Sequence, residues 1–73
     1  MNKGDLAWLP SKTPLVRFNK GGDIKTFKHT GLPKNVLLLE KRDDIYRKIV
    51  YNGEQWHVSE NLLYPAQGTE DGS

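Results

Sequence analysis

Hydrophobic and polar positions alternate most cleanly from Glu54 to Ser59, where Trp56 and Val58 point one way and Gln55, His57 and Ser59 the other. A period of two marks a half-buried strand. The run before it, Ile45–Tyr51, is rich in β-branched and aromatic residues. Asn52-Gly53 separates the two runs. Both residues of such a pair accept positive φ, so the segment predicts a tight antiparallel hairpin.

The rest of the chain reads as strands that need this hairpin as a partner. Leu6–Leu9 is a short strand stopped by Pro10, and Ser11–Pro14 is a turn cluster. Leu15–Phe18 is a second β-prone run, and Ile24–Lys28 is placed to pair back on it across a loop over Asn19–Asp23. The whole excursion Asn19–Lys34 contains Gly21, Gly22, Gly31 and Pro33. A connection of that length in a compact domain is expected to be functional or mobile. Val36–Leu39 is the most apolar run and predicts a strand covered on both faces. Ser59–Leu62 fits a single 3₁₀ turn, and Leu63–Pro65 a last strand ended by proline. The expected core is Leu6, Leu9, Val36, Leu38, Ile45, Ile49, Val50, Trp56, Val58 and Leu63. Residues 1–66 form the expected domain, and 67–73, small, polar and acidic, an expected disordered tail.

Five short strands, a long early loop, a tight hairpin and a one-turn helix before the last strand resemble the Src-homology-3 (SH3) barrel. The resemblance runs from about residue 4 to 65, with Gly4–Leu9, Val36–Lys41, Ile45–Tyr51 and Glu54–Val58 as strands and Pro10–Lys34 as the long loop. It implies an all-β fold, a closed five-stranded SH3-like barrel. Peptide-binding members carry an aromatic-acidic cluster early in that loop and a tryptophan opening the third strand. Here the loop opens Pro10-Ser11-Lys12-Thr13 and the strand Ile45-Tyr46, and only Tyr64 matches a late tyrosine of the family. The resemblance thus implies the fold rather than proline-rich ligands. Gly-Asp-Leu near the start, with Trp-x-Val and Leu-Tyr near the end, also resembles small uncharacterised proteins of tailed bacteriophages, which implies an accessory or virion component.

Composition narrows the chemistry. The chain has 73 residues and no cysteine, so neither a disulfide nor a thiolate zinc site supports its small core. Two histidines, His29 and His57, are too few for a metal cage, and no cofactor is expected. No run of about 18 apolar residues predicts a membrane span, and the first residues lack the apolar core of a signal peptide. A soluble cytoplasmic protein is expected, in host cytoplasm or a virion if of phage origin. Without Glu70 and Asp71, eleven Lys/Arg face seven Asp/Glu, a net of +4 that mildly favours anionic partners.

Three function classes follow. An enzyme would need an acid–base pair in a cleft, and the one grouping near it, His57 with Glu54 and Glu60, lies on a strand face expected to meet solvent. Asp43-Asp44 reads as a turn former rather than a metal ligand pair. The favoured class is a non-enzymatic binding or assembly module, contacting a protein of unknown identity through Trp8, Phe27, Tyr46 and Tyr64, since so small a fold cannot bury all its aromatics. Edge strands would also invite strand addition, with Lys41, Arg47 and Lys48 as partial guards. The alternative is weak nucleic-acid binding through Arg17, Lys25, Phe27 and Lys28 in the basic-aromatic loop.

Overall fold

The computed structural model describes residues 2–66, so the expected tail at 67–73 lies outside the described residues. Seven strands form: β1 (Leu6–Leu9), β2 (Pro14–Phe18), β3 (Ile24–His29), β4 (Lys34–Lys41), β5 (Tyr46–Tyr51), β6 (Glu54–Ser59) and β7 (Tyr64–Pro65). A 3₁₀ turn, Glu60–Leu62, precedes β7. The strands pair into one antiparallel sheet in the order β3-β2-β6-β5-β4-β1-β7.

This corrects the closed five-stranded barrel. The segment expected as a long loop supplies β2 and β3, whose pairing carries the sheet beyond β6. β7 contributes only two residues, so the sheet stays open with β3 and β7 as its edges. The hairpin predicted between Leu15–Phe18 and Ile24–Lys28 does form. Asn19 Oδ1 closes its loop by accepting from the N–H groups of Gly21 (2.9 Å) and Asp23 (3.0 Å), the side chain standing in for a backbone turn acceptor.

Alternation then places the core. Ala7 and Leu9 (β1), Leu15 (β2), Val36 and Leu38 (β4), Ile49 and Tyr51 (β5), and Trp56 and Val58 (β6) converge with Leu63 into one buried cluster on the inner face. Asn52 (φ 52°) and Gly53 (φ 78°) sit in the left-handed region that the β5–β6 turn requires. Asp43 shapes the β4–β5 turn: its Oδ1 accepts from the N–H groups of Ile45 and Tyr46, both at 2.8 Å. These two backbone donors are the main reason its carboxyl is held below the usual carboxylate range.

Three core assignments need correction. Leu6 and Ile45 are 51% and 59% exposed, and Val50 is only half-buried. Leu6 and Val50 have the wrong parity for the inner face, and Ile45 stands in the Asp43 turn before β5 begins. The core gains Ala7, Leu15 and Tyr51 instead. Nor is β4 covered on both faces, because Leu37 is 39% exposed.

Two polar locks fix the sheet's ends. At the base of the β2–β3 hairpin, the hydroxyls of buried Thr13 and Thr30 both donate to the Pro10 carbonyl, at 2.8 and 2.7 Å. At the other end, buried Arg47 donates through Nε and Nη2 to Glu60 Oε2 (3.2 and 2.9 Å) and through Nη1 to the Leu39 carbonyl (2.9 Å). That fork ties β5 to β4 and to the 3₁₀ turn.

Candidate functional site

The four aromatics expected to bind protein share the outer face of the sheet but not one place on it. Trp8 and Tyr64 are directly opposite on β1 and β7, and their rings meet edge to face at 6.3 Å. Tyr46 packs mid-sheet on Phe18, ring centres 5.1 Å apart, and the Arg42 guanidinium lies over the Phe18 ring at 3.8 Å. Phe27 lies on β3 beside His29 at 6.1 Å and is 66% exposed.

The Trp8–Tyr64 pair has company that sequence reasoning missed. Leu6 pairs with Leu37 across β1 and β4, and Leu37 with Val50 across β4 and β5. Leu6 and Trp8 are two residues apart on one strand and therefore share a face. Leu6, Leu37 and Val50 thus form an apolar row across three strands, bordered at one end by Trp8 and half-exposed Tyr64. Alternation within Val36–Leu39 carried the signal. It was hidden because four successive apolar residues read equally as a strand buried on both sides.

The basic-aromatic set divides differently. Arg17 and Lys28 share the inner face and cap the buried Trp56 ring, the Arg17 guanidinium at 3.8 Å and Lys28 Nζ at 5.5 Å from its centre. Arg17 also donates to Glu54 and to the Gln55 carbonyl. Phe27 is on the opposite face, and Lys25 is the extra residue where the β2–β3 register shifts. The structure does not bring these four into one groove.

His57 meets solvent only in part. It is half-buried against Phe18, ring centres 5.2 Å apart, with Nδ1 buried and unpaired. Burial, followed by the nearby charges of Lys48 and Arg42, pushes its pKa below that of a free imidazole, against a weaker pull from Asp43 and Glu40. Glu54 is turned to Arg17 and Glu60 to Arg47 and Lys41, so neither acid partners the imidazole. The sign for stability follows. The unfolded chain takes up the proton first, so the contribution of neutral His57 is complete above about pH 6.5 and is lost as pH falls below it. Thermal unfolding midpoints should drop between about pH 7 and pH 5, and His57→Phe should flatten that drop. A titration midpoint at or above that of a free imidazole, read from the His57 ring protons, would refute this.

No cluster of three or more His, Cys, Asp or Glu side chains able to hold a metal ion occurs among the described residues, and no helix there is long and apolar enough to cross a membrane. Lys41 and Lys48 lie on the interior strands β4 and β5 and Arg47 is buried, so none of them guards a sheet edge. In comparisons with known proteins the chain matches no family model, no curated protein and no solved structure.

Proposed function

We propose that this chain is a small non-enzymatic binding module that holds a protein partner against its outer sheet face. One observation carries the reading: the contiguous row Leu6–Leu37–Val50, flanked by Trp8 and Tyr64, leaves Leu6, Leu37 and Tyr64 39–51% exposed on the adjacent strands β1, β4 and β7. Contiguous apolar surface with aromatic anchors is the usual character of an interface centre, whereas scattered exposed residues need no explanation. The reading extends to an SH3-like fold in open form. Supporting this are the consecutive strands β7-β1-β4-β5-β6, the 3₁₀ turn before β7, and a long hairpin between the first two of them in chain order.

Nucleic-acid binding is the weaker reading, because Arg17 and Lys28 are engaged over Trp56 and Phe27 faces away from them. Site-resolved photo-crosslinking in cells tests the first. A photoreactive residue at Leu37 or Tyr64 should give a discrete protein adduct, while one at Asp44, exposed in the β4–β5 turn, should not. Leu37→Arg should weaken binding of the captured partner by about tenfold or more and cost less than about 1 kcal/mol of stability. Adducts equally abundant from all three positions, or none from the row, would sink the proposal.

A further inference from the structure

The charge of this protein is divided unevenly. Across the β2–β3 hairpin, from Pro14 to His29, there are four basic residues and one acidic residue, Asp23, a net of +3. The rest of the described chain carries seven basic and six acidic residues, a net of +1. The positive excess therefore sits on the β2–β3 hairpin, at one edge of the sheet. Lys20 and Lys25 have no carboxylate within salt-bridge distance among the described residues.

The two sheet edges are also unlike. β7 has two residues and ends in Pro65, which lacks an N–H. β3 has six residues, all exposed, and no proline. The direction of its backbone groups follows from the register. Thr30 exchanges backbone bonds with the opposing strand, donating to Thr13 O and accepting from Lys12 N, both at 3.0 Å. In an antiparallel ladder such pairs alternate, which turns Lys28 and Thr26 toward β2 and leaves the N–H and C=O of Phe27 and His29 pointing away. Two details agree. His29 lies opposite Pro14, which has no N–H to offer, and Val16, opposite Phe27, turns instead to His57 on β6. Exposed Phe27 and Ile24 flank this open edge.

We infer that the free edge of β3 is a second binding surface, which takes up an extended acidic segment of a partner protein as an added strand. Backbone bonds to Phe27 and His29 supply the pairing, and Lys20 and Lys25 select carboxylate side chains. A second copy of this chain is disfavoured as occupant, since it would bring one +3 hairpin against another. Nucleic acid would satisfy the charge but offers no backbone ladder to the carbonyls. The surface lies at the opposite end of the strand order from Leu6, Trp8 and Tyr64 and stands independently of them.

The test uses the isotope-labelled full chain and three probes: an acetylated peptide of alternating Glu and Val long enough to span β3, the same peptide N-methylated at every backbone amide, and oligothymidylate. The Glu-Val peptide should shift the amide signals of Lys25, Phe27 and His29 and slow exchange of the Phe27 and His29 amides about tenfold or more. The N-methylated peptide, unable to donate backbone N–H groups, should bind about tenfold more weakly or worse. Lys20→Glu combined with Lys25→Glu, both on exposed side chains, should abolish binding, and Phe27→Pro should do so without removing a β2–β3 ladder bond. Leu37→Arg should leave it intact, which separates this surface from the outer face. Equal binding of the two peptides, tighter binding of oligothymidylate, or no amide shift in β3 would each overturn the inference.

Discussion

Ile49→Ala is expected to leave the protein largely unfolded at room temperature. Ile49 is fully buried on the central strand β5, between Leu38 on β4 and Trp56 on β6. Removing its distal carbons loses their transfer free energy and leaves a cavity that three hydrogen-bonded strands cannot collapse, a cost of about 2–5 kcal/mol. A core this small supplies a total of roughly 3–5 kcal/mol. The loss is therefore comparable with the whole stability. Ile45→Ala, four residues earlier in the same β-rich run, is the internal control. Its side chain is 59% exposed, so the same chemical change should cost less than about 1 kcal/mol. Urea titrations of both variants decide the matter. Similar losses would mean that the inner-face register of β5 is wrong.

Arg47→Met should be the most costly change at a polar residue, on the order of 2–4 kcal/mol. The substitution keeps the aliphatic stem, so the loss isolates the guanidinium, which ties Glu60 and the Leu39 carbonyl to β5. Without it the Leu39 carbonyl has lost a charged donor, and Glu60 retains only Lys41, 3.4 Å from its other oxygen. Pairing with Glu60→Gln should recover part of the loss, because the orphaned carboxylate disappears, and a double-mutant cycle measures how much. The acid limb of stability should change too. The Arg47 bond is the main cause holding the Glu60 carboxyl below its ordinary range. Its contribution is present above the unfolded pKa and lost as pH falls through the lowered folded one. In Arg47→Met that acid-dependent loss should shrink. If the variant is as stable as the parent with an unchanged acid limb, Arg47 is not the clasp described.

Local chemistry was the most legible part of this sequence. Asn52-Gly53, the alternation through Trp56 and Val58, the β2–β3 hairpin and the 3₁₀ turn are each determined by neighbouring residues, and each is present in the structure. Closure was not legible, because whether a sheet's edges meet depends on which distant strands pair. Arg47 shows a different obstacle. It stands two residues before Ile49 and four before Tyr51, which is inner-face parity, but its charge led to the expectation of an edge guard, and only the folded geometry reveals Glu60 and a carbonyl waiting there. Leu6 and Leu37 show the converse. Hydrophobicity argued for the interior, while parity across β1 and β4 puts both outside, where they create the candidate face. The expected protein-binding aromatics were found on the outer side but dispersed, and Arg17 and Lys28 were drawn inward by Trp56, an attraction no linear spacing encodes.

The position of β1 between β4 and β7 has a consequence for biosynthesis. Of the seven strands β1 is made first, yet it finds its neighbours only after Lys34–Lys41 and then Tyr64–Pro65 have been translated. Ala7 and Leu9 therefore lack strand neighbours until β4 has been made, open to chaperones, and the nascent chain gains little by folding stepwise. Products truncated before Tyr64 should accordingly be cleared by cellular proteases rather than persist as half-built domains.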